Sequence, residues 1–144
     1  MKEEVIRELK SIVGEDWVVS ARDAVEGYLY DETAIPIRPQ ASGDVVVVKP
    51  GNVEEISKIL SLANEHKVPV FPRGGGTGLV GACIPTISGI VLSLERMNKI
   101  TIDTENLMAE AEAGATLRDL IEAADNAGLS FPLHPGDEGA QIGG

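Results

Sequence analysis

The run Pro72-Arg73-Gly74-Gly75-Gly76-Thr77-Gly78-Leu79 constrains this chain more than any other stretch. It follows directly on the short apolar segment Val68 to Phe71, and four of the five residues from 74 to 78 are glycine. A backbone without Cβ atoms admits close approach by a neighbouring group and reaches positive φ without steric cost. An ordinary turn needs one or two glycines. Four argue for a binding loop whose N–H groups converge on an anion, most commonly a phosphate. Arg73 then has two uses: a fixed positive charge at the mouth of the loop, or a partner in a structural pair.

The string Gly76-Thr77-Gly78-Leu79-Val80-Gly81 is a literal G-x-G-x-x-G, the dinucleotide fingerprint. That fingerprint works only where its last glycine enters a helix whose N-terminus holds the pyrophosphate. Here Pro85 and Gly89 follow within the next eight residues and oppose a helix. A Walker-type loop fails as well, because no Lys-Ser or Lys-Thr pair follows the glycines.

The surrounding pattern places the loop on a sheet. Val45 to Val48 is a run of four valines, as suits a strand buried on both faces. Asn52 is positioned to cap a helix reaching about His66, with Glu55 completing a capping box and Val53, Ile56, Ile59, Leu60 and Ala63 as the buried stripe. Val68 to Phe71 is the second strand and Gly89 to Leu94 the third. Strand–helix–strand predicts a right-handed βαβ unit, with the glycine loop beyond the C-terminal end of a parallel strand. Before this unit, Val5, Ile6, Leu9, Ile12 and Val13 mark one face of a helix ending at Gly14. Trp17 to Val19 reads as a short extended piece, Ala21 to Tyr28 as a short helix, and Ile35 to Gly43 as a loop.

After Leu94 the pattern turns antiparallel. Ile100 to Asp103 and Leu107 to Ala113 read as a hairpin whose small face, Ala109, Ala111 and Ala113, is buried. Thr116 caps a last helix with the stripe Leu117, Leu120, Ile121, Ala124 and Ala127, ended by Gly128. The fold class is therefore α+β, an α/β first lobe followed by the start of an antiparallel lobe. The boundaries fall at a helical lead-in over 1–40, a first lobe over about 41–96 and a second over about 97–144.

Composition excludes several function classes. Twelve basic residues against twenty-three acidic give a formal charge of −11, the wrong sign for nucleic-acid or anionic-membrane binding. Cys83 is the sole cysteine, so neither an intrachain disulfide nor a thiolate metal cluster is available; it reads as a small buried hydrophobe. Nothing has transmembrane length or a signal-peptide pattern, which predicts a cytoplasmic chain without a membrane span. His66 and His134 are too far apart to form a metal site, and Glu110 and Glu112 read as a solvated face. His134 sits in a loop where backbone bonding explains it more simply than flavin contact.

Pro72 to Gly81 closely resembles the pyrophosphate loop of FAD-linked oxidases of the vanillyl-alcohol oxidase and p-cresol methylhydroxylase (PCMH) type. Within that superfamily it is most similar to the glycolate oxidase flavoprotein subunit and the FAD-dependent D-lactate dehydrogenases. The resemblance runs in order from about Tyr28, through Tyr30 to Thr33, Arg38-Pro39, Asp44 to Pro50 and Asn52 to Ile56. It continues through Gly89 to Ile100, Glu112 to Leu117, Pro135 to Asp137 and Gln141 to Gly144. It implies a PCMH-type FAD-binding domain with cofactor contacts at Pro72, Arg73, Gly74, Gly75, Gly76, Thr77, Gly78, Leu79, Pro135, Gly136, Gly139, Ala140, Ile142, Gly143 and Gly144. It also implies a longer parent enzyme oxidising a small 2-hydroxy acid such as glycolate or D-lactate.

Thr77 stands where covalently flavinylated members of the superfamily often carry histidine, so the resemblance implies non-covalent FAD. In that family a segment such as Ile142-Gly143-Gly144 leads into the rest of the second lobe and a substrate domain. The chain thus reads as a truncated N-terminal portion with no catalytic residue of its own. Other oxidase subunits or a second copy are the expected partners. The competing reading is a flavin-free fragment serving as a structural or interaction module.

Overall fold

The computed structural model describes residues 1–133 and 136–144. Helix α1 (Glu3–Val13) turns Val5, Leu9 and Val13 into the interior, and Gly14 ends it at φ +94°. A short 3-10 turn leads to β1 (Val18–Val19), and α2 (Arg22–Val25) continues into a second 3-10 turn over Glu26–Tyr28. Strand β2 (Val45–Val48) is buried along its whole length. Helix α3 (Val53–His66) then crosses to β3 (Val70–Arg73), and β4 (Gly89–Ser93) completes the first lobe.

The sheet order is β1-β2-β4-β3. Strand β4 slots between the two strands of the strand–helix–strand unit and runs parallel to both, while β1 adds an antiparallel edge. Residue chemistry explains this order. Pro72 has no N–H for a ladder, which suits β3 to an edge. Strand β4 is buried at every position and belongs in the centre.

The valines of β2 divide between two cores. Val46 and Val48 pack with Leu9, Ile59, Leu62 and Ile90 under α1 and α3. Val45 and Val47 pack with Val25 and Val91 on the opposite face. The stripe expected on α3 is corrected at two positions: Val53 is 66% exposed and Leu60 46%, while Leu62 is buried. Ile59, Leu62, Ala63 and His66 follow the i, i+3, i+4, i+7 spacing of one helix face, and Leu60 falls beside it. The capping box on α3 is also altered. Asn52 Oδ1 accepts from the Glu55 N–H at 2.8 Å, but the Glu55 carboxylate accepts from the Gly51 N–H and the Asn52 side-chain amide rather than from the Asn52 backbone N–H.

The second lobe is the hairpin β5 (Ile100–Asp103) and β6 (Met108–Ala111), followed by α4 (Leu117–Asn126). Its capping box is complete: Thr116 Oγ1 accepts from the Asp119 N–H, and Asp119 Oδ2 from the Thr116 N–H, each at 3.1 Å. The expected small buried face of β6 does not form. Ala109 is exposed, and Ala111 and Ala113 are half-buried, because α4 covers only part of the hairpin. Gly114 joins the two lobes. Its N–H donates to Met97 O at 2.7 Å, and a Cβ there would lie 1.9 Å from Leu94 O. Among the described residues, no helix is long and apolar enough to cross a membrane.

Candidate functional site

Strand β3 delivers its last residue, Arg73, into the protein rather than to the mouth of the loop. Arg73 is 8% exposed. Its Nη1 donates to Tyr30 O at 3.0 Å and to Cys83 Sγ at 3.3 Å, and its Nη2 donates to Gly27 O at 3.2 Å. Of the two uses open to Arg73, the structure selects the structural one. The charge nevertheless stays at the loop: a Cβ on Gly76 would meet Nη2 at 2.2 Å, so the guanidinium packs directly against that residue. Gly76 itself sits at φ +75°, a conformation that disfavours any side chain there. No helix follows, in keeping with the rejection of a Rossmann fingerprint.

The far arm of the loop is held by the segment Tyr30 to Thr33. Glu32 N–H donates to Gly78 O at 3.0 Å. Asp31 Oδ2 accepts from the Gly81 N–H at 2.9 Å, and Oδ1 from the Thr33 N–H at 3.0 Å. Burial alone would raise the Asp31 pKa, but hydrogen bonding by Thr33 and Gly81 outweighs it and holds the carboxyl below its ordinary value.

Opposite the loop lies the second glycine-bearing stretch. Residues 138–143 run alongside 113–118, with Leu117 N–H donating to Ala140 O, Ile142 N–H to Ala115 O and Gly143 N–H to Ala113 O. The two stretches approach closely: a Cβ on Gly75 would lie 2.9 Å from Gly139 O, and one on Gly74 3.1 Å from Gly144 Cα. Between them is a cavity of about 450 Å3, lined by Pro72 to Gly78 on one side and by Ala140, Gln141, Gly143 and Gly144 on the other.

Most of the expected site residues thus come together, and some do not. Leu79 is 66% exposed and is absent from the lining, as are Gly136 and Gly139, although the Gly139 carbonyl stands close to Gly75. Ile142 contributes instead to an apolar groove between the hairpin and α4. Pro135, like His134, lies outside the described residues. Asp31, Ala82, Cys83, Leu94 and Gln141 line the cavity without having been singled out as site residues. Gln141 carried a signal: it is the one polar side chain among small and apolar residues from Gly139 to Gly144.

Residues 45–144 match the FAD binding domain family. The chain belongs to that family. It is 52% identical over 119 residues to a D-lactate dehydrogenase of Archaeoglobus fulgidus, covering 83% of this chain and 27% of that protein. It is 43% identical over 109 residues to the glycolate oxidase subunit GlcD of Bacillus subtilis, covering 75% of this chain and 22% of the relative. The chain therefore spans less than a third of the length of these relatives.

Among solved structures, an alkyldihydroxyacetonephosphate synthase superposes with a TM-score of 0.84 at 22% identity, over 99% of this chain and 28% of the other. p-Cresol methylhydroxylase superposes with a TM-score of 0.74 at 24% identity, over 88% and 25%. At these identities the likeness establishes the fold, a PCMH-type FAD-binding arrangement.

The residues of this FAD-binding domain fit a diphosphate group. Among the described residues, the N–H groups of Gly75, Gly76, Thr77 and Gly78 donate to no protein acceptor, and Gly75 and Gly78 are exposed. Water can satisfy such donors in the free chain, and a row of them along one loop offers several partners at once to an acceptor-rich ligand. Gln141 Oε1 is buried and without a partner.

Beside this loop a polar cluster ties the strand ends together. Tyr28 Oη donates to Glu95 Oε2 at 3.1 Å, Ser93 Oγ donates to the same oxygen at 3.0 Å, and Lys49 Nζ lies 2.7 Å from Oε1. Burial would raise the Glu95 pKa, but Lys49 and Ser93 together hold it below the usual carboxylate value.

Proposed function

We propose that this chain supplies the diphosphate-holding part of a non-covalent FAD site in an oxidoreductase acting on a small 2-hydroxy acid such as glycolate or D-lactate. One observation carries the reading: two glycine-bearing stretches, 65 or so residues apart in sequence, face each other across one cavity, with a row of unclaimed N–H donors on one wall. The names of the two relatives, a D-lactate dehydrogenase and a glycolate oxidase subunit, support the substrate class.

The chain's own residues bind and orient. Gly75 to Gly78 would donate to phosphate oxygens, the Arg73 guanidinium would add positive potential against the loop, and Ala140, Gln141, Gly143 and Gly144 would wall the opposite side. Thr77 offers a hydroxyl to a phosphate oxygen, and its side chain forms no histidyl-type bond to flavin. The chemistry FAD supplies when bound is two-electron oxidation, here of a hydroxyl-bearing carbon to a carbonyl. No proton-transfer residue is assigned within the chain.

The test is titration of the purified chain with FAD, followed by flavin fluorescence and calorimetry, with FMN and NAD as controls. Saturable, FAD-selective binding is expected. Gly78→Ala supplies the matching variant. Gly78 lines the cavity, and a Cβ there meets only Asp31 Oδ2 at an ordinary 3.6 Å, so folding is preserved while the phosphate face is narrowed. Gly75→Val is a poorer choice, because it would also push Gly139 away. FAD affinity unchanged in a folded Gly78→Ala variant would sink the loop assignment. A colourless, oligomeric wild-type chain that ignores FAD would favour the scaffold reading instead.

A further inference from the structure

Asp31 lies outside the family match, which begins at residue 45, yet its side chain lines the same cavity as the glycine loop. A carboxylate beside an anion-collecting loop is unexpected on charge alone. Both its oxygens are occupied by backbone N–H groups, of Thr33 and Gly81, and the residue is 6% exposed. Each oxygen thus has a lone pair engaged by the backbone of the loop arm or of its own segment. Its neighbours complete a strap around the loop. Tyr30 O accepts from Arg73 ahead of the glycines, the Glu32 N–H donates to Gly78 O at their end, and Asp31 takes the Gly81 N–H three residues further on.

The loop has little else to fix it. Four glycines restrict the backbone weakly, and the N–H groups of Gly75 to Gly78 have no partner among the described residues. Resting on the reading of this loop as a diphosphate site, we propose that Asp31 is a positioning residue. Together with the Glu32 N–H, its carboxylate fixes the Gly78 to Gly81 arm, so that the loop N–H groups stay directed at the diphosphate.

The experiment compares the wild-type chain with Asp31→Ala and Asp31→Asn, at a temperature where all three give a cooperative melt above the assay. Amide exchange is read by NMR without ligand, and FAD and ADP affinities by calorimetry. In Asp31→Ala the Gly81 and Glu32 amides are expected to exchange about tenfold faster while those of β2 and β4 keep their protection. FAD and ADP, which share the diphosphate, should weaken together by about tenfold, with Asp31→Asn between wild type and alanine.

A residue that merely stabilised the fold would lower the melting midpoint and leave affinity in the folded state untouched. Unchanged FAD and ADP affinity in folded Asp31→Ala would overturn the proposal, as would faster exchange spread evenly over the sheet. Should the wild-type chain bind neither FAD nor ADP, the diphosphate reading fails and takes the directing role with it. The exchange data then report separately whether Asp31 holds the Gly81 arm.

Discussion

The two lobes use similar elements to different effect. In the first, a four-stranded sheet has apolar packing on both faces, and Val46, Val47, Val48, Ile90 and Val91 are fully or almost fully removed from water. In the second, a two-stranded hairpin is covered by one helix, and Leu107, Met108 and Ile142 stay 73%, 65% and 44% exposed. A hairpin alone is marginal in water and needs a packed face for independent stability. The second lobe therefore borrows order from the first through Gly114 and from the C-terminal stretch that lies against residues 113–118. The cavity sits on the seam, one wall anchored in the well-packed lobe and the other in the lightly packed one.

The comparison breaks most severely at Gly114. Gly114→Val would drive a branched side chain into Leu94 O, and a loss of about 3 kcal/mol is expected by urea denaturation. The second lobe should melt ahead of the first, and a single unshifted transition would contradict the seam. A matched pair of truncations sharpens the contrast. Val47→Ala, at a fully buried site, should cost about 2 kcal/mol, whereas Met108→Ala should stay within about 0.5 kcal/mol. Equal losses would mean that the hairpin is as tightly packed as the sheet.

The smallest effect is on pH dependence. The Glu95 carboxyl has a folded pKa below its ordinary 4.5, so its pairing stabilises fully above about that pH and is lost as pH falls through the depressed value. Asp31 behaves in the same sense from its ordinary 3.8. Thermal midpoints should fall on acidification below this range. In Lys49→Met, which removes a partner that lowers the Glu95 pKa, the folded value moves back toward the ordinary one and the acid-side fall should become smaller. An unchanged acid limb in that variant would show that the Lys49–Glu95 pair adds nothing.

Much of this was legible in the residue pattern. The four valines of β2, the cap at Asn52 and the box at Thr116 are local signals, and each marks its element. The glycine run carried the site because its composition is inexplicable as a turn. What escaped notice depends on partners distant in the chain. The place of β4 between β2 and β3 follows from burial and from Pro72 at an edge, and the exposure of Ala109 from how far α4 reaches. The true direction of Arg73 depends on carbonyls at Gly27 and Tyr30, which no motif around residue 73 announces. Asp31 was visible as part of a resembling segment, but its use required the fold.

The strap across the loop also has a consequence for the order of folding. Its hydrogen bonds join residues 43, 46 and 50 positions apart, Tyr30 to Arg73, Gly27 to Arg73 and Asp31 to Gly81. Closing chain segments of that length is entropically costly and slow compared with forming a helix. The helices and the β3–β4 ladder, whose partners lie 20 positions apart, can form while the glycine run is still loose, and the run is fixed only when the N-terminal segment docks against it. The glycine-loop wall of the cavity should accordingly be among the last features to mature during refolding, later than the recovery of helical signal.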